Sequence, residues 1–458
     1  MEKFKTALLA CLVVLMLAAA GIYIGGSQFM RTGAAQSRTP LPDGAVRAGA
    51  DAPAVRTLAS AGLLAPEAAV VSAAGKTAGA FAGDIPSAAV DLAYPLLHQA
   101  LAADATLTET DAAALADAAT GDCILLQFAG ALPYQVLYAL TGDIEKAAAA
   151  DRAFNADTVL LAFDGAGAGR LYLTDGTTFA VSDKPLAVRT GALTALTASD
   201  ALADAVLADN LVPLGTAGMT AVPVTVTDGA AHPLGAEASR DLLTLFAFNP
   251  DRHRLSAQTV VEPHGSLAVS TARVTFAASR DGGIPLASFL ESSPDARDIG
   301  IYDVLTAAAA FADRLREIDA ENFGGAGKRF LKQFYKDGDG YTAVFGLTYG
   351  GIELVGDAMP TFLTVTASGG MFTAVTVSRI SVSRAGAGLT LFPAAWQYET
   401  AAAATAGGIH RMRLCYAVEA QDTACDAAWY CDRAAVAAEN AAVQMAYAPA
   451  REESGAAE

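Results

Sequence analysis

The longest uninterrupted apolar run, Ala7 to Gly26, has no charged side chain between Lys5 and Arg31. At about 1.5 Å per residue, a helix of that length matches a hydrocarbon core of roughly 30 Å. Lys3 and Lys5 precede the run and Arg31 follows it, so the pattern predicts a single-pass membrane helix with a cytoplasmic N-terminus. The competing reading is a cleaved secretory signal, with Leu8–Leu17 as its apolar region and Ala18-Ala19-Ala20 as its cleavage site. Both readings place the remainder of the chain outside the cytoplasm. Gly21 and Gly25 form a G-x-x-x-G pair at the outer end, a spacing that lets two membrane helices approach closely. The alternative is a helix simply fraying into Gly25-Gly26.

Beyond Arg31 the pattern changes several times. Thr32 to Arg56 is rich in Gly, Pro and Ala without an apolar period, which reads as a spacer. Helical spacing follows at Val90–Leu101 and Thr110–Ala119, then a buried strand at Cys123–Phe128 and a segment of ambiguous type at Leu132–Leu140. Strands are expected at Thr158–Phe163, Arg170–Thr174 and Thr177–Val181, the last two joined by the turn signal Asp175-Gly176. Thr197–Asp209 reads as a helix with Ser199 as its N-cap, and Ala221–Thr227 as a strand. An amphipathic helix, Glu237–Phe248, stops at Asn249-Pro250, since a residue before Pro is pushed out of the α region. Short strands at 258–262, 266–270 and 273–277 precede a long helix, Ile301–Ile318. Tyr341–Tyr349, Ile352–Val355, Thr361–Ala367 and Met371–Ser383, separated by Gly-Gly and loop segments, read as an antiparallel meander. Met412–Val418 is one more strand.

These elements predict an α+β protein: a single N-terminal transmembrane helix followed by two or three extracytoplasmic α+β domains with antiparallel sheets. The expected divisions are 1–31 (tip and anchor), 32–57 (spacer), 58–235, 236–330 and 331–435 (folded regions) and 436–458 (an Ala-rich, acidic tail). A length of 458 residues suits two or three domains. The net charge of −18 opposes sequence-independent binding of nucleic acid, which needs a basic face. Of five cysteines, Cys11 lies in the apolar run. Export permits disulfides, and Cys415, Cys425 and Cys431 are the closest cluster for one short bridge, although free buried thiols are the leading reading of these cysteines. Their spacing lacks the paired ligands of a zinc site.

No reactive constellation is legible. The five histidines, His98, His232, His253, His264 and His410, are scattered. Gly324-Gly325-Ala326-Gly327-Lys328 lacks the first Gly of a phosphate loop and has Arg329 where Ser or Thr belongs. Gly165–Gly169 sits between strands, which disfavours a dinucleotide site, and Asp337-Gly338-Asp339-Gly340 lacks the remaining ligands of a calcium loop. The expectation is therefore no catalytic, cofactor-binding or metal-ligating residue and no cofactor. For an envelope enzyme such as a wall hydrolase, Asp157, Asp164 and Asp175 are the nearest candidate cluster. A passive envelope scaffold is a third reading.

Several stretches resemble the YycH/YycI family of Gram-positive bacteria: LLTLFAFNPDRHRL, VVEPHGSLAVS and ARVTF within Leu242–Ala277, the meander Tyr341–Ser383, and LCYAVEAQDTACDAAWYC (Leu414–Cys431) with Trp429 in the family's Trp position. CILLQFAGALPYQVLYAL resembles a segment of the longer, YycH-like members. Ala427-Ala428 departs from the usual Pro-Ala before that Trp, and the chain after Cys431 does not follow the family's final strands. The resemblance implies a non-enzymatic, membrane-anchored extracytoplasmic regulator. Its implied partners are the two-component sensor histidine kinase that controls cell-wall homeostasis and a sister protein of YycH/YycI type.

Overall fold

Short apolar runs punctuated by Gly and Asp turns fold here mainly into sheet. The computed structural model describes residues 66–81, 85, 87–101, 105–141, 154–208, 211–255, 259–290, 300–338, 340–356, 359, 361–404, 409–419, 421–433 and 445–447. The first sheet comprises β1 (Ala68–Ala73), β2 (Lys76–Phe81), β3 (Leu107–Glu109), β4 (Asp122–Pro133), β5 (Asn155–Phe163), β6 (Ala168–Thr174), β7 (Phe179–Ser182), β8 (Leu186–Ala187), β9 (Ala203–Leu207) and β10 (Pro213–Gly215). Its order is β10-β9-β2-β1-β4-β5-β6-β7-β3, with β8 beside β6 and every pairing antiparallel. The middle strands are apolar on both faces because both faces are covered. Ile124, Leu126, Val159 and Leu161 share a core with α1 (Ser87–Ala100), α3 (Tyr134–Thr141) and α4 (Thr190–Thr197). On the opposite face α2 (Ala112–Ala118) sets Leu115 against Val70, Leu125 and Leu160. Asp111 caps α2 by accepting the Ala114 N–H at 2.8 Å.

The second sheet is larger. It contains β13 (Val260–Glu262), β14 (Gly265–Val269), β15 (Arg273–Ala278), β16 (Ile284–Pro285), β17 (Lys328–Asp337), β18 (Gly340–Tyr349), β19 (Ile352–Val355), β20 (Leu363–Ser368), β21 (Met371–Ser378), β24 (Ile409–Ala417), β26 (Ala427–Arg433) and β27 (Met445–Tyr447). Only β19 and β24 pair in parallel among these strands. The helices α5 (Ala236–Leu245) and α6 (Ile301–Ile318) cover its inner face. There Phe246, Phe276, Phe289, Phe311 and Phe372 form a chain of ring contacts, five of them at centroid separations between 5.3 and 6.0 Å. Such tilted and edge-on pairs fill a core efficiently. Two small sheets join segments distant in sequence: β11 (Met219–Ala221) pairs β23 (Leu389–Leu391), and β12 (Val224–Asp228) pairs both β22 (Ile380–Arg384) and β25 (Ala424–Cys425). The last helix, α7 (Ala394–Ala404), follows β23. Residues 46–458 form one compact unit.

The expected architecture is corrected in two respects. Strand makes up 45% of the described residues and helix 23%, so the protein is mostly sheet. Among the described residues no helix is long and apolar enough to cross a membrane, so the expected transmembrane helix has no support. The run Ala7–Gly26, with Gly21 and Gly25, lies outside the described residues. Thr197–Asp209 is also corrected: its helix lies earlier, as α4, and Ala203–Leu207 is strand β9 because it pairs with β2 and β10. Met371–Ser383 is broken at Arg379 into β21 and β22. The helix Ile301–Ile318 and the strand Ile352–Val355 stand at their expected limits.

Candidate functional site

The densest group of charges lies where the first sheet meets the second. In β4, Gly130 lets the backbone come so close to β17 that an added Cβ would stand 2.3 Å from the Lys332 carbonyl oxygen. Lys332 is the bulged residue of β17, between Leu331 and Gln333. Its Nζ lies 3.0 Å from Glu353 Oε1, while Arg413 Nη1 donates to Glu353 Oε2 at 2.6 Å. Two residues along β24, Arg411 Nη2 pairs with Glu67 Oε2 at 2.5 Å, Nη1 lies 3.5 Å from Asp157 Oδ2, and Nη2 also donates to the Phe128 carbonyl. Glu353, Arg411 and Asp157 are buried. Burial would loosen the proton on Arg411, but Glu67 and Asp157 outweigh it and hold the guanidinium charged more firmly than usual. Three carboxylates face three cations, so the cluster is balanced and its acids are engaged as counter-ions. Arg411 Nε has no hydrogen-bond partner among the described residues. Such a cluster fixes how two sheets meet more than it adds stability, because desolvation offsets most of the attraction.

A second polar knot surrounds Arg379. This buried side chain donates from Nε and Nη2 to Asn322 Oδ1 (3.0 and 2.6 Å), from Nη1 to the Ser270 carbonyl (2.8 Å), and from Nη2 to the carbonyls of Gly229 (3.0 Å) and His232 (2.8 Å). Desolvation lowers its pKa, and Asp319 and Asp228 oppose that shift. Arg379 therefore joins the loop after α6, the β14–β15 turn and the loop after β12.

Folding also brings two histidines together. His253 Nε2 donates to Glu262 Oε1 at 3.0 Å, and His264 Nδ1 lies 3.9 Å from Glu262 Oε2 while its Nε2 donates to the Phe246 carbonyl at 3.1 Å. The Phe248 ring lies 4.5 Å from the His264 ring. Glu262 titrates below its usual range, chiefly because the Asn249 N–H donates to it and secondarily through His253. His232 Nδ1 lies 3.4 Å from Glu321 Oε2, the His98 ring contacts Tyr138, and the His410 side chain is outside the described residues. Among the described residues no three His, Cys, Asp or Glu side chains are placed to hold a metal ion.

A cavity of about 860 Å³ is an open groove between the β1–β2 turn, α2 and the end of β9. Its walls are small: Ala112, Ala113, Ala116 and Ala119 on one side, Val206 and Leu211 on the other.

The residues singled out in sequence have local roles. Asp164 and Asp175 cap separate turns, Asp164 accepting the Ala166 and Ala168 N–H groups and Asp175 those of Thr177 and Thr178. Burial would raise the Asp175 pKa, but these bonds outweigh it and hold it low. Asp164 stands at the opposite end of β5–β6 from Asp157 and Asp175, so the three carboxylates do not converge. Gly324 N–H and Ala326 N–H donate to Ile380 and Val382, leaving no phosphate cradle there. Cys415 and Cys425 are buried free thiols, as is Cys123, in line with the leading reading of these cysteines, and the alternative of a bridge from Cys415 to Cys425 is not formed. Cys431 lies in β26, and its side chain is outside the described residues. The charge cluster and the Arg379 knot were not legible, because their members are spread over hundreds of residues.

No protein-family model matches the chain, and no curated protein or solved structure matches it either.

Proposed function

We propose that the folded body is a non-catalytic regulator that acts outside the cytoplasm by binding a sensor histidine kinase. The observation that carries this reading is local. The stretches that resemble the YycH/YycI family fold into a helix that ends just before Phe248-Asn249-Pro250, a hairpin (β14–β15), a meander (β18–β21) and a closing hairpin (β24–β26). Trp429, in the position the resemblance assigns to a Trp, is buried and donates its indole N–H to the Phe392 carbonyl at 3.1 Å. The balanced charge cluster adds to this by holding the two sheets in one arrangement. A rigid body of this kind shifts a kinase equilibrium only if it binds two kinase states unequally.

The test is the output of that kinase. Deleting the chain should change expression of genes under its response regulator, and the full chain should restore it. Unchanged expression on deletion would sink the reading.

A further inference from the structure

The outward face of the second sheet is built unlike an ordinary solvated face. Seven neighbouring strands, β13-β14-β15-β21-β20-β18-β17, share it. Their inward positions are buried, while the outward ones are mostly half-buried or exposed, as the alternations of β15, β20 and β21 show. Those outward positions hold mostly Thr, Ser, Ala, Val and Gly, with Phe330 and Gln333 on β17. Thr275, Thr376 and Thr364 form one cross-strand row, and Thr366 lies beside Thr342 in the next. Three of the face's hydroxyls are already engaged within the sheet: Thr342 Oγ1 bonds Thr366 Oγ1 at 3.1 Å, and Thr348 donates to the Lys328 carbonyl at 3.3 Å. Covering these three costs little, because each keeps its partner when it loses water.

Charge is arranged along the face as well. In a chain with 48 acidic residues, the described side chains at these outward positions include no Asp or Glu. Lys328 and Arg273 lie towards one end of the strands, and the 47%-exposed Tyr335 towards the other. We propose that this face is a docking surface for a second copy of the same chain, turned end for end. That arrangement sets Lys328 of each copy over Tyr335 of the other, a cation above an aromatic ring, and separates the two basic ends. Elsewhere a net charge of −18 keeps copies apart, so association is directed to the one face almost free of acids. Seven strands about 4.8 Å apart with three or four outward residues each give a footprint of roughly 600 Å², near the ~800 Å² per partner of a stable interface.

Sedimentation velocity of the purified full-length chain between roughly 1 and 50 µM tests this. The expected mass is twice the 46.5 kDa of one chain. Thr364→Lys sets a charge near the two-fold axis without touching the core and should weaken the dimer by tenfold or more. Thr376→Lys is the second variant should the first fail to fold, judged by circular dichroism. Mixing Lys328→Cys chains with Tyr335→Cys chains should give a disulfide-linked pair under mild oxidation, while neither alone does so efficiently. A monomeric wild type, alone or with a different protein bound across the face, overturns the proposal. So does association that survives both lysine variants.

Discussion

Replacing Arg379 by Met removes one buried side chain and with it five hydrogen bonds to four acceptors: Asn322 Oδ1 and the carbonyls of Ser270, Gly229 and His232. The methionine fills much of the space but donates nothing. Each acceptor left buried without a donor costs about 1–3 kcal/mol, which sums to roughly 4–12 kcal/mol for four if none relaxes or reaches water. Against that, the variant no longer buries a guanidinium, a gain of a few kcal/mol. The expected net loss is about 3–5 kcal/mol, a large part of the ~5–15 kcal/mol that holds a typical domain. Arg379→Lys keeps the charge but not the planar fork, and should lose about half as much. Urea unfolding followed by tryptophan fluorescence and far-UV circular dichroism measures both, provided the slope with denaturant is unchanged. A loss below about 1 kcal/mol for Arg379→Met would show that the segments around it do not depend on the clamp.

Three further outcomes follow from local geometry. Gly130→Ala should lower Tm and cost about 1–3 kcal/mol, since its Cβ would press on the Lys332 backbone, 2.3 Å from the carbonyl oxygen; unchanged thermal unfolding would refute that close approach. Glu262 is held below its ordinary value of 4.5, so its stabilising contribution is complete above that pH and is lost as pH falls through the lower folded value. Glu262→Gln should therefore flatten the fall of Tm below about pH 4.5, and an acid limb identical to wild type would contradict the assignment. Burial pushes the Cys123 thiol up to about 11, and Cys415 is raised further still. Neither should be alkylated by iodoacetamide at pH 8 before unfolding, as read by peptide mass spectrometry; rapid native labelling at either would show them accessible.

The sequence was legible where one face of an element is apolar over several turns or where alternation is regular. The helix Ile301–Ile318 has Leu305, Phe311 and Leu315 buried on one stripe, and β20 alternates Leu363, Val365 and Ala367 inward. β17 was hidden because Lys332 bulges from it and shifts the alternation of KRFLKQFYKD. The β1–β2 hairpin is written largely in Ala and Gly, which carry little strand preference, and Gly79 is needed where Val70 and Phe81 crowd the strand. Ala203–Leu207 has helix-forming residues, and tertiary pairing with β2 and β10 overrides that preference. At the sites, Arg379 reads as one more polar residue in a strand until folding brings residues 229, 232, 270 and 322 to it. His253 and His264 looked unrelated because a hairpin, not a helical spacing, makes them neighbours of Glu262.

The most direct test of the regulator reading is in-cell crosslinking of the tagged full-length chain, with the crosslinker placed at surface positions away from the outward face of the second sheet and the captured proteins identified by mass spectrometry. The account expects a sensor histidine kinase crosslinked from defined positions, with a weaker yield when Arg379→Met loosens the body. A chain that is present and folded in the cell, yet never crosslinks to a kinase from any position, would contradict it.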